Sequence, residues 1–285
     1  MPYDLPPELS VTEDGPVRVL TLNRPEARNA ANAAMHGALT GVWRQLAADP
    51  GAAAVVLTGA GTAFSAGGDF QWMTEQHRDA AYRAAVFEQT RTIILEMIRF
   101  PLPLIAAVNG PAVGLGCSLA VSCDIVLVSE RAFLADPHVA VGLVAGDGGA
   151  ALWPLMTSMV RAKELIFTGD RIPAADAVAL GLANRVVPAG DLDAEALRLA
   201  HRLAAMPRQA LRETKRALNV HIERAIAGVM DLAATAELAT MGSPEHVALV
   251  EAALAPSPSA PAPPSPPSTA PPSPPPSSAP PSPPA

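Results

Sequence analysis

The sequence predicts an α/β fold, followed by a helical C-terminal part and a disordered proline-rich tail. Three observations carry this. Short apolar, β-branched runs alternate with helical spacing over residues 1–190. From Arg161 onward helical patterns dominate, and residues 191–254 read as helices only. Residues 255–285 contain only Pro, Ser, Ala and a single Thr. Strand–helix alternation followed by helices argues for an α/β architecture with a helical region appended. A segment without large apolar side chains cannot offset the entropy of ordering, so the tail is read as disordered and polyproline-II-like.

The elements follow in order. Val17 to Leu22 alternates as a strand and stops at the turn Asn23-Arg24-Pro25. Ala31 to Ala48 is Ala-rich, with Met35, Leu39, Val42 and Leu46 at helical spacing, and ends at Asp49-Pro50-Gly51. Ala53 to Thr58 is a buried strand. It runs into the Gly-rich loop Gly59 to Asp69, and Arg78 to Ile98 reads as a long helix. Leu104 to Val108 is a second buried strand, leading through another Gly-rich turn to a helix from about Cys117. Asp124 to Val128 and Ala132 to Leu134 are further strand candidates, and Ala183 to Val187 is a short strand among helices.

The bulk properties remove several classes. Net charge is −7 and no Lys/Arg cluster occurs, which argues against a nucleic-acid partner. The apolar stretches are too short and too punctuated to span a bilayer, so no membrane role is expected. The N-terminus lacks a basic segment followed by an apolar one, as a secretory signal would need. Cys117 and Cys123 sit in apolar surroundings at a spacing that fits no zinc pattern. They are read as reduced core residues, the compartment as cytoplasmic, and no metal is expected.

Two buried strands each enter a Gly-rich turn that opens a helix. These turns are Phe64-Ser65-Ala66-Gly67-Gly68-Asp69-Phe70 and Gly110-Pro111-Ala112-Val113-Gly114-Leu115-Gly116. Backbone N–H groups at a helix start are free to bind negative charge, and small residues let a ligand approach. Two such turns facing one another would form an oxyanion hole. Each also has a plainer reading: Gly-Gly-Asp is a turn whose Asp69 caps a helix and braces the loop. Gly114-Leu115-Gly116 could open a dinucleotide fingerprint, but position 119 is Leu and no suitable acid follows.

Three segments in order carry a resemblance. The first is Asn23-Arg24-Pro25, Asn29-Ala30 and Gly59 to Asp69; the second is Ala106 to Ala120, ending Cys123-Asp124. The third runs from Phe167-Thr168-Gly169-Asp170-Arg171-Ile172 to Gly181-Leu182-Ala183-Asn184, closing on Val186-Val187-Pro188. Together they resemble the crotonase (enoyl-CoA hydratase/isomerase) family over about residues 10–254. The resemblance implies a spiral of ββα turns and a helical trimerisation region over residues 191–254, in a homotrimer or homohexamer. It implies an acyl-CoA substrate in fatty-acid or related acyl-CoA metabolism. No separate cofactor is implied, since coenzyme A is part of the substrate. By position the oxyanion donors are the N–H groups of Gly68 and Leu115, while Ala27, Arg28, Ala66 and Gly67 would line the coenzyme.

The chain departs from the family pattern at the acid–base positions. A hydratase of this family usually carries two glutamates, and here those positions hold Ser118 and His138. Asp147, in Gly146-Asp147-Gly148-Gly149, is a candidate replacement. It is either a helix N-cap or an acid aimed at the thioester. His138 has an ordinary pKa near 6.5, so it can act as acid or base at neutral pH, or serve as a hydrogen-bonded structural residue. Ser118 is expected to be a packed hydroxyl, and Trp72 and Met73 are either acyl-pocket or core residues. The C-terminal helix lacks the basic residue with which relatives often hold the coenzyme's phosphate. Three activities stay open: a hydratase using His138 and Asp147, a double-bond isomerase working with one acid–base residue, and a thioester-binding protein without chemistry.

Overall fold

The computed structural model describes residues 3–255, so the proline-rich tail lies outside the described residues. The chain begins with a hairpin. Strand β1 (Leu9–Asp14) pairs antiparallel with β2 (Val17–Leu22), and the turn places Gly15 at φ 56°. β1 escapes the sequence reading because it is an edge strand with only Leu9 buried. Helix α1 (Ala33–Ala48) follows, capped by Asn32, whose side chain accepts from the Met35 N–H at 2.9 Å. The capping bond sets the helix start two residues later than the apolar spacing suggests.

Strand β3 (Ala54–Gly59) lies parallel to β2, and after the first Gly-rich turn come α2 (Phe70–Arg78) and α3 (Ala80–Arg99). The sequence reads as one helix from Arg78. That helix is α3, which starts two residues later because Asp79 takes an extended conformation and caps it, accepting from Ala81 and Tyr82, and so separates it from α2. Strand β4 (Leu104–Val108) then enters the second turn, β5 (Ala112–Val113) lies within it, and α4 (Leu115–Val121) leaves it. Strands β6 (Ile125–Ser129) and β7 (Phe133–Ala135) repeat the pattern. Helices α5 (Gly149–Met156) and α6 (Met159–Thr168) lead to β8 (Ile172–Pro173), α7 (Ala174–Leu180) and β9 (Arg185–Val187). The chain continues through α8 (Leu192–Ala204), α9 (Arg208–Ile226), α10 (Val229–Met241) and α11 (Pro244–Leu254).

The long strands form one six-stranded sheet, ordered β1-β2-β3-β4-β6-β9 and parallel from β2 onward. The short strands after each turn form a second layer. Ala31 bridges Gly68, Ser65 bridges Ala112, β5 pairs with β7, and β7 with β8. Each winding thus gives one strand to each layer before a helix returns the chain, which is the ββα spiral. A parallel sheet must be covered on both faces. One face of the long sheet packs on α1 and α3 through Leu20, Leu57, Ile94 and Trp43, and the other on α8 through Val56, Ile105, Leu127 and Leu199. Trp43 is fully buried, and its truncation to Ala should cost about 3–5 kcal/mol. Among the described residues no helix is long and apolar enough to cross a membrane.

Candidate active site

The two Gly-rich turns lie against each other, and their contact explains their composition. Gly67 has φ 91°, and a Cβ there would sit 2.8 Å from the Val113 carbonyl oxygen. A Cβ on Gly116 would meet Ser65 at 2.6 Å. Side chains at these points would force the turns apart. Gly114 at φ 51° turns the chain into α4, so the Leu115 N–H stands in the first turn of that helix. Gly68 and Leu115 line the same cleft, of about 130 Å³. Among the described residues neither N–H donates to another backbone group.

The same cleft holds a buried cluster of ionisable side chains. His138 follows β7 and Asp147 precedes α5, and their side chains meet with Nε2 3.3 Å from Oδ2. The other ring nitrogen, Nδ1, is held by Asp136. Ser118 of α4 donates its hydroxyl to Asp147 Oδ1 at 2.9 Å. Glu237 of α10 brings Oε1 to 3.8 Å from His138 Nε2. It can come so close because Gly146 lacks a side chain: a Cβ there would meet the Ala233 carbonyl at 2.6 Å and the Glu237 Cβ at 2.8 Å.

The protonation states follow from these neighbours. Burial opposes a charge on His138, but Asp147 and Asp136 outweigh it and push its pKa well above the ordinary value. The expectation of a histidine titrating near 6.5 is therefore corrected: flanked by two carboxylates, it is an imidazolium at neutral pH. Burial would raise Asp147, yet the His138 charge, the His138 and Ser118 hydrogen bonds and the Gly149 N–H hold it below the usual range. Glu237 goes the other way, pushed well above the carboxylate range by burial, with Asp147 and Asp136 adding to the shift and His138 opposing it. Burial thus favours its protonated form beside the His138–Asp147 pair. His36, in the cleft wall, is lowered to about 4 by burial and stays neutral, bonded to Thr90 at 2.9 Å. Ligand-type atoms of Asp136, His138 and Asp147 lie within 4.8 Å of one another, a spacing a cation could use. Both His138 nitrogens already face carboxylates, so the imidazolium itself supplies a positive charge there.

The residues singled out in the sequence are distributed as follows. Gly68, Leu115, His138, Asp147, Ala66 and Gly67 all line the cleft, as do Trp72 and Met73. Ala27 and Arg28 do not; they lie on the adjoining loop, where the Arg28 carbonyl accepts from the Ala66 N–H at 2.9 Å. Asp147 is not the N-cap of α5, since that position is Gly148. Asp69 caps α2 and pairs with Arg24 at 2.9 Å. Ser118 is buried, but its partner is Asp147, twenty-nine residues on, which no local reading could supply. Asp136, Glu237, Gln76 and His36 escaped the sequence reading. The one available signal was Glu237, an acid in the stripe Met230, Ala233, Glu237, Met241 that α10 buries.

An apolar cleft with two backbone donors and a buried carboxylate–imidazolium pair is the arrangement of an enzyme acting on a carbonyl compound. The sequence model of the enoyl-CoA hydratase/isomerase family matches residues 12–246, and the chain belongs to that family. It is 36% identical over 208 residues to the short-chain-enoyl-CoA hydratase of Clostridium acetobutylicum, covering 73% of this chain and 79% of that one. The crystal structure of an enoyl-CoA hydratase/isomerase from Mycobacterium paratuberculosis superposes with a TM-score of 0.85 at 49% identity, over 88% of this chain and all of that one. A family member from Xanthobacter autotrophicus Py2 gives 0.80 at 34% identity, over 86% and 92%.

Proposed function

We propose that the protein hydrates a 2-enoyl-CoA thioester, with Asp147 and His138 in place of two glutamates. The observation that carries this reading is the Asp147–His138 contact of 3.3 Å in the cleft that Gly68 and Leu115 also line. Asp147, held ionised, takes a proton from water as its oxygen bonds to Cβ. The electron pair of the double bond moves onto the thioester oxygen, where the Gly68 and Leu115 N–H groups hold the enolate. The His138 imidazolium gives its proton to Cα as the enolate collapses. Asp147 then returns the water's proton to His138 across their 3.3 Å contact, and the pair is restored. Asp136 holds the ring from behind, and Ser118 fixes the Asp147 carboxylate. Coenzyme A enters as part of the substrate, past Ala66 and Gly67, with Ala27 and Arg28 at the rim.

The oligomer we propose is a homotrimer or homohexamer. Val160 (76% exposed) and Phe167 (66%) on α6, Leu218 on α9 and Leu232 on α10 are large apolar side chains left in solvent by one chain, which supports association.

The test is a panel of 2-enoyl-CoA thioesters assayed for loss of conjugated absorbance, with products weighed. A product heavier by one water is expected. A product of unchanged mass with a shifted double bond would make the enzyme an isomerase. No turnover, with thioester binding retained, would make it a binder.

A further inference from the structure

The acyl part of the cleft is not uniformly apolar. Met73, Val86, Phe87, Leu143 and Met241 form most of its wall, as suits a hydrocarbon chain. Besides the His138–Asp147 pair and His36, which is bonded to Thr90, two polar side chains interrupt them, Gln76 from α2 and Glu237 from α10. Gln76 is 2% exposed and Glu237 5%. Gln76 Oε1 and Glu237 Oε2 each have no hydrogen-bond partner among the described residues. Buried polar atoms are almost always paired, and one left unpaired carries a penalty that a plain alkyl ligand cannot relieve. An apolar pocket for an alkyl chain would place Leu or Met at both positions, as α10 does at Met230 and Met241.

Resting on the hydratase reading above, we propose that the substrate's acyl group carries a hydroxyl, received by the Gln76 carboxamide and the Glu237 carboxyl. A hydroxyl both donates and accepts. It can donate to the Gln76 oxygen and accept from Glu237, whose protonated form burial favours. A substrate carboxylate fits worse, because Asp147 and Asp136 bring negative charge to the same place, as their effect on Glu237 shows. A keto oxygen would satisfy Glu237 alone. The groups facing Glu237 are His138, Asp147, Asp136 and the Gly146 N–H; His138 is already committed to the two aspartates, and Oε2 keeps no partner among the described residues.

The experiment compares chain-matched thioesters with and without a hydroxyl at C4, C5 or C6. Affinity is measured by calorimetry with the saturated acyl-CoAs, which cannot be hydrated, and kcat/KM with the 2-enoyl forms. At one position the hydroxylated thioester should bind about tenfold or more tightly than its alkyl match. Gln76→Leu and Glu237→Leu should each pull that ratio toward one, while Glu237→Gln, which keeps a donor, should retain most of it. Equal affinity for hydroxyl and alkyl thioesters at every position overturns the proposal. So does a preference that both Leu variants leave intact. Binding separates this outcome from the fate of the hydratase reading: a hydroxyl preference without turnover removes the hydration and keeps the ligand class, and turnover without preference does the reverse.

Discussion

Gly149→Ala tests the acid–base group from outside the cleft. Gly149 is the first residue of α5 and is not among the residues at positive φ, so its backbone admits alanine. The space does not. The new Cβ would fall inside the van der Waals envelope of Asp136 Oδ2 and 3.0 Å from its Cγ, with Ala145 Cβ closing the other side at 3.3 Å. Restoring an ordinary carbon–oxygen separation of about 3.5 Å means moving the carboxylate by more than about 1 Å. Asp136 grips His138 Nδ1, so the imidazole loses its support. A displacement of about 1 Å at a reacting group costs roughly 100-fold in rate. Stability should change much less: overpacking costs about 1–3 kcal/mol, and replacing a helical glycine returns up to about 1 kcal/mol. The assay is enoyl-CoA turnover beside thermal unfolding. The expected result is a loss of about 100-fold in kcat with a fold that survives, and a similar loss in Asp136→Asn. If Gly149→Ala turns over at the parental rate, Asp136 does not position His138 and the argument fails.

Asp147→Asn keeps the shape and the Ser118 bond but removes the charge. It should lower kcat by about 10²–10⁴, and parental activity on a confirmed substrate would remove Asp147 from the mechanism. The pair also sets a pH dependence. The folded pKa of His138 is raised, so its contribution to stability is complete below the unfolded value near 6.5 and is lost as pH rises through the folded pKa. Asp147 is depressed, so its contribution is present above about 3.9 and is lost as pH falls through its folded pKa. Melting temperature against pH should therefore fall at both ends for the parent, and His138→Gln should flatten the alkaline limb; an alkaline limb identical in both proteins contradicts the assigned charge. Gly68→Pro deletes one of the two proposed oxyanion donors while a Cβ at that position meets only the flexible end of Met73 at 2.5 Å. Its kcat should drop by about 100-fold or more, and a folded variant with full activity would reassign the donor.

Much of the architecture is written locally. The parallel strands are continuous apolar runs because both sheet faces are covered, and the two Gly-rich turns announce themselves because their backbones touch. Elements that depend on weak or distant signals were missed. β1 is an edge strand with a polar face, and the helix that Asp69 opens is read without its end, which Asp79 sets by capping the next one. At the site, His138 and Asp147 stood out by type and place, but their ionisation did not, because it depends on Asp136 and on burial. Glu237 could not be placed at all from its own segment. Its position beside His138 is set by the fit of α10 against Gly146, a contact between remote parts of the chain.

That fit has a consequence for synthesis on the ribosome. Chains emerge N-terminus first, and domains begin to order as they appear. The long sheet, both Gly-rich turns and the His138–Asp147 pair are encoded before residue 190, so a nascent chain of that length holds every charged group of the site with one wall missing. Until α10 arrives with Glu237 and Met241, the imidazolium and its carboxylates face water, where their attraction is weakest. Ribosome-stalled chains ending before and after α10 should therefore differ sharply in thioester capture. The arrival of α10, translated after the rest of the cleft lining, would act as the step that seals the cleft.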